Sequence, residues 1–215
     1  MGDHQQTSGI LSSPSGEQKS TTVIVAHGAG NDMNTPLLQA FSGHLAESGY
    51  HVLRFNFLYT EQGRKAPDRR DTLVNTWAAA FSYSRQVLGG KTKQWVAAGK
   101  SMGGRIASEM VAGGLLPVHR LIFLGYPLHP AGKSEDLRDA HLYGIGIPML
   151  FFAGTRDPLC NLDKLETLLK RIKDNAELFI IEGGDHSFKT PKSLHRTEDE
   201  VFADISRKSI EWLDA

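Results

Sequence analysis

With 215 residues, 40% apolar and 22% charged, the chain has the size and composition of one soluble globular domain, able to bury a core without metal or disulfide staples. Lys+Arg and Asp+Glu both total 24, and this balance excludes the basic footprint of a nucleic-acid or anionic-membrane binder. The one cysteine, Cys160, excludes an internal disulfide and fits a reducing compartment.

The amino-terminal stretch has no basic segment followed by an apolar one, so no secretory signal is read there. Gly2 is followed by Gln6 where a myristoylation signal has Ser or Thr. No apolar run approaches the ~20 residues of a bilayer span. A cytoplasmic protein without membrane or nucleic-acid partners is expected.

Residues 1–20 are rich in Ser, Gly and Gln and read as a flexible tail, with at most a weak strand around Ile10 and Leu11. Residues 21–215 read as a single domain. Its first apolar run is Val23–Ala26, followed by a His27-Gly28-Ala29-Gly30 turn. Pro36 then opens a helix whose apolar face is Leu37, Leu38, Phe41 and Leu45. After the run Val52–Phe57, a second helix carries Leu73, Trp77, Phe81 and Leu88 and stops at Gly89-Gly90. The runs Trp95–Ala98, Leu121–Leu124, Met149–Ala153 and Leu178–Ile181 follow. Further helices run along Arg105–Val111, Leu162–Ile172 and Val201–Leu213. Continuous rather than alternating apolar runs are how strands read when both faces of a parallel sheet are covered. The alternation of strand and helix predicts an α/β architecture with right-handed crossovers and helices on both faces. In such a sheet, functional residues lie just beyond the carboxyl ends of the strands.

Three strand ends carry chemistry. Trp95–Ala98 runs into Gly99-Lys100-Ser101-Met102-Gly103 and then a helix, a G-x-S-x-G turn in the strand–turn–helix setting that exposes a nucleophilic serine. The overlapping Gly99-Lys100-Ser101 could end a phosphate-binding loop, but that loop needs glycine at position 94, which is Gln94. A serine hydroxyl needs a base. Acid and histidine follow the nucleophile in that chain order, which selects Asp157 after Met149–Ala153 and His186 after Leu178–Ile181. His129 and His195 are the rival bases, and Asp185 and Asp163 the rival acids. The oxyanion donors are expected at the N–H groups of Met102 and of Ala29, with Gly30 the alternative to Ala29. Tyr59, Tyr126, Leu128 and His129 lie in loops at the same edge and are read as substrate contacts. Arg64, Lys65, Arg69 and Arg70 either favour an anionic substrate or form a solvated loop. The histidines show no metal-ligand spacing, so no metal or cofactor is expected.

The segments HGAGNDMN, GKSMGGR, GYPLHP and FFAGTRDPLC resemble the α/β-hydrolase superfamily, and the likeness covers nearly the whole chain from Thr22 onward. Within it they look like small, lidless hydrolases of the testis-expressed-30 and NSL-complex-subunit-3 type, and more distantly like dienelactone hydrolases. The resemblance implies a three-layer α/β-hydrolase fold, a mostly parallel sheet of about seven or eight strands and no substantial lid. It also implies a Ser101–Asp157–His186 triad. Dienelactone hydrolases carry cysteine at the elbow, so their lactone substrate is not carried over to Ser101. The expected activity is hydrolysis of a small ester or thioester through an acyl-enzyme. An acyltransferase using the same residues and an interaction protein with little activity are the alternatives.

Overall fold

Strands fill the six apolar runs, and a seventh joins them. The computed structural model describes residues 6–172 and 175–215. In chain order the strands are β1 (Gly9–Ser12), β2 (Thr21–Ala26), β3 (His51–Phe55), β4 (Gln94–Lys100), β5 (Arg120–Leu124), β6 (Met149–Gly154) and β7 (Ala176–Ile181). The helices are α1 (Pro36–Glu47), α2 (Leu58–Glu61), α3 (Arg70–Leu88), α4 (Met102–Ala112), α5 (Leu162–Ile172) and α6 (Glu198–Asp214).

The strands form one sheet in the order β1-β3-β2-β4-β5-β6-β7. All neighbours are parallel except β1, which runs antiparallel to β3. Side chains alternate across a strand. Ile24, Leu53, Ala97, Phe123 and Phe151 therefore pack under α3, α4 and α5, while Val23, Val52, Val96, Ile122 and Phe152 pack under α1 and α6. Two buried faces explain why the runs of β2 to β6 are apolar throughout; β7, at the sheet edge, is only partly buried. Pro36 sits in the first turn of α1. Thr197 and Glu200 close a capping box at the start of α6.

Residues 9–12 lie in the segment read as a tail, yet they belong to the sheet, with Gly9 to Ser12 opposite Phe55 to Val52. A four-residue edge strand that is half exposed leaves only Ile10 and Leu11 as an apolar trace. The first five residues of that segment lie outside the described residues. No helix among the described residues is long and apolar enough to cross a membrane.

Chain order reverses between β2 and β4: β2 leads outward to β3, whereas β4 leads the other way to β5. Pairing brings Ala26 opposite Gly99, so the turns after β2 and β4 emerge side by side. This switch point is where an open parallel sheet offers a crevice.

Candidate active site

The elbow is built by close approach. Ser101 adopts φ 50°, ψ −115°, a strained conformation for a residue with a side chain, between the last residue of β4 and the first of α4. A Cβ on Gly99 would fall 2.2 Å from the Gly104 nitrogen, and one on Gly103 would fall 2.6 Å from the His27 carbonyl oxygen. Only glycine lets strand, helix and the neighbouring β2 tip converge this tightly. Met102 thereby opens α4, where the first amides have no intrahelical partner and carry the positive end of the helix dipole.

The loop after β7 must travel back across β6 to reach the elbow. It does so where a Cβ on Gly154 would lie 2.1 Å from the Gly184 carbonyl oxygen, and the Arg156 N–H donates to that same oxygen at 2.9 Å. Asp185 then folds the loop, its Oδ1 accepting the N–H groups of Ser187 (2.7 Å) and Lys189 (3.0 Å). That commitment ties the Asp185 carboxylate to its own turn. The imidazole of His186 ends 2.8 Å from Ser101 Oγ through Nε2, and 2.8 Å from Asp157 Oδ2 through Nδ1. The Asp157 side chain is fully enclosed, and its second oxygen accepts the Leu159 N–H at 2.8 Å. Ser101, His186 and Asp157 are therefore brought into one hydrogen-bonded chain. The rival histidines stand elsewhere. His129 accepts the Asn161 N–H at Nε2 (2.9 Å) and contacts the Pro130 carbonyl through Nδ1 (3.0 Å), and His195 ends a short turn of helix at 192–194.

Beside the elbow, the turn after β2 is braced from α2. A Cβ on Gly28 would meet Ser101 Cβ at 3.5 Å, which places this turn against the elbow serine. His27 is buried, and burial pushes its pKa below the ordinary value, so the imidazole is neutral. Its Nε2 accepts the Phe57 N–H at 3.0 Å, leaving the proton on Nδ1, which donates to the Gly28 carbonyl at 2.8 Å. The Tyr59 hydroxyl donates to the same carbonyl at 3.2 Å, and the Thr60 hydroxyl holds the Asn31 carbonyl at 3.1 Å.

The four residues read as substrate contacts are buried, at 0% to 4% exposure. Their polar ends are committed to main chain. Tyr59 holds Gly28, Tyr126 donates to the Arg138 carbonyl at 2.6 Å, and His129 ties its loop to Asn161, while Leu128 packs in the core. Tyr59, Tyr126 and Leu128 belong to the hydrophobic core cluster, while His129 lines a surface pocket together with Asp157. The cationic loop is partly neutralised by the protein itself: Arg64 pairs with Asp68 (2.5 Å) and Arg70 with Glu109 (2.8 Å). Among the described residues no group of three or more His, Cys, Asp or Glu side chains could hold a metal ion.

Lys100, set aside together with the phosphate-binding loop, occupies the first variable position of the elbow. Its Nζ is buried without a hydrogen-bond partner among the described residues, and burial pulls its pKa down to about 8.

Comparison with known proteins agrees with the architecture. The family described as alpha/beta hydrolase domain matches residues 19–214. A serine hydrolase homologue from Coxiella burnetii superposes with a TM-score of 0.74 at 20% identity, covering 97% of this chain and 94% of that one. A lidless serine hydrolase from Xanthomonas campestris gives 0.73 at 20% identity, with 97% and 90% covered. Dienelactone hydrolase from Anabaena variabilis gives 0.74 at 19% identity, with 98% and 92% covered.

Proposed function

The chain belongs to the alpha/beta hydrolase family, and on that premise we propose that it is a serine hydrolase cleaving small ester or thioester bonds through an acyl-enzyme on Ser101. The observation that carries the proposal is the pair of 2.8 Å contacts linking Ser101 Oγ, His186 and Asp157 Oδ2. An elbow serine hydroxyl already in contact with an imidazole ring nitrogen has a proton acceptor in place.

In the reaction, Ser101 Oγ attacks the carbonyl carbon while its proton passes to His186 Nε2. Asp157 accepts from Nδ1–H, fixing the tautomer and stabilising the imidazolium. The tetrahedral oxyanion is held by the N–H groups of Met102 and Ala29. Collapse expels the alcohol or thiol with the proton from His186. Water, deprotonated by the same imidazole, then releases the acid and restores Ser101.

Ala29 is favoured over Gly30 as the second donor by the clamp on its peptide. In a trans peptide the carbonyl and the N–H point in opposite directions. The Gly28 carbonyl is turned toward His27 and Tyr59, so the Ala29 N–H faces the other way. The Gly30 amide, by contrast, lies near the Tyr59 oxygen. A small substrate fits the absence of a substantial lid among the described residues, since the segments after β3 and β5 carry one helical turn each. The likeness of the motif segments to the testis-expressed-30 and NSL-complex-subunit-3 type is part of the same reading.

A fluorophosphonate probe tests the proposal. Wild type should label covalently and Ser101→Ala should not. A folded wild type that stays unlabelled, or equal labelling of both, would overturn it and leave the interaction-protein alternative.

A further inference from the structure

A buried lysine beside a nucleophile needs an account. Its charge is costly to bury, and nothing in the reaction above uses it. The site that holds Lys100 is cut by two glycines at the tips of the strands flanking β4. On the β2 side, a Cβ on Gly28 would touch Lys100 Cγ at 3.4 Å. On the β5 side, a Cβ on Gly125 would fall 3.0 Å from Nζ, and Gly125 takes φ +75°, which side chains rarely adopt. The lysine stem thus runs past Gly28 at contact distance, and its ammonium lies close against Gly125.

There, the ammonium sits under the loop that carries the imidazole. The His186 carbonyl oxygen and the Phe188 ring both lie within 3.5 Å of the same Gly125 position. Nζ stands 5.6 Å from the centroid of that ring, within cation–π range. Phe188 holds φ 65°, so the ring is kept there against backbone preference. The charges around Lys100 are the carboxylates of Asp157, on the loop after β6, and Asp185, on the loop after β7. The groups facing the imidazole are Asp157 and Ser101, with Asp185 its chain neighbour.

We propose that Lys100 is a positioning residue whose enclosed ammonium acts through the Asp157–His186 pair. It supports the carboxylate and opposes a second positive charge on the ring, so the nucleophile's own turn sets the pH range over which His186 can accept a proton. The inference rests on the reading of these residues as the reacting chain. Its sign follows from electrostatics alone: a cation near a titrating base favours the neutral base.

The test is a titration of the His186 ring-proton NMR signals in wild type, Lys100→Met and Lys100→Gln. Both neutral variants should move the imidazole midpoint upward by roughly one pH unit. The acid limb of kcat/KM on p-nitrophenyl acetate should move the same way. An unmoved midpoint in both variants, or a shift in only one, which would trace to packing, overturns the proposal. The NMR reading needs no turnover. A shifted midpoint in a protein without esterase activity would therefore support the lysine's role while removing the hydrolase reading.

Discussion

Tyr59→Phe removes one atom and separates two roles for this tyrosine. Were the phenol a substrate contact, its loss would raise KM. In the structure its hydroxyl instead donates 3.2 Å to the Gly28 carbonyl, alongside the 2.8 Å bond from His27 Nδ1. Together the two donors orient the Gly28–Ala29 peptide. A neutral hydrogen bond contributes a net ~1 kcal/mol, and the longer of two on one acceptor belongs in the lower half of that range. Complete loss of an oxyanion donor costs ≈10²–10³ in kcat. With His27 still in place, the amide is loosened rather than lost. The expected fall in kcat is therefore about 2- to 5-fold, with KM within about twofold of wild type. Steady-state hydrolysis of p-nitrophenyl acetate reads both parameters. A raised KM at unchanged kcat would refute the argument, as would a kcat loss beyond about 100-fold, which would mean that the hydroxyl acts on the reacting atoms directly.

Two further outcomes concern stability. Gly103→Ala places a Cβ 2.6 Å and 2.7 Å from the carbonyl oxygens of His27 and Ala26, both main chain. It should destabilise by roughly 2 kcal/mol or more and lower Tm by several degrees; an unchanged melting curve would contradict the packing described at the elbow. Lys100→Met keeps the stem and deletes the charge. With a pKa near 8 in the fold against 10.5 unfolded, the ammonium binds its proton less tightly in the native state. The wild type therefore gains stability as pH rises from 8 to 10.5. Below pH 8 the variant should be the more stable by about 3 kcal/mol, and the gap should close toward pH 10.5. Urea unfolding of both proteins across that range checks it; a gap that does not vary with pH would count against the burial of the charge.

Much of the fold was legible because β2 to β6 are covered on both faces, which writes each of them as an unbroken apolar run. The elbow was legible for a different reason. Gly99, Ser101 and Gly103 answer a steric demand that few other sequences satisfy. Chain order then pointed to Asp157 and His186; the fold brings His186 to Ser101, and Asp157 to the far side of the same imidazole. What stayed hidden depends on contacts between distant segments. β1 borrows its identity from β3, and α2 is a single turn without periodicity. The roles of Tyr59, Tyr126 and His129 are set by which carbonyl or amide they meet. Lys100 drew notice only as part of a phosphate-binding loop that Gln94 rules out, and only the fold shows its ammonium buried against Gly125.

The two partners in the proposed proton transfer come from unequal parts of the sheet. Ser101 rises from its middle, while the imidazole is delivered by the outermost strand, whose Ile180 is 40% exposed. Rims open at lower free energy than interiors. A fluctuation that frees β7 would carry off the proton acceptor and leave the hydroxyl standing. Inactivation on warming would then precede collapse of the core, with the serine still seated on a folded centre.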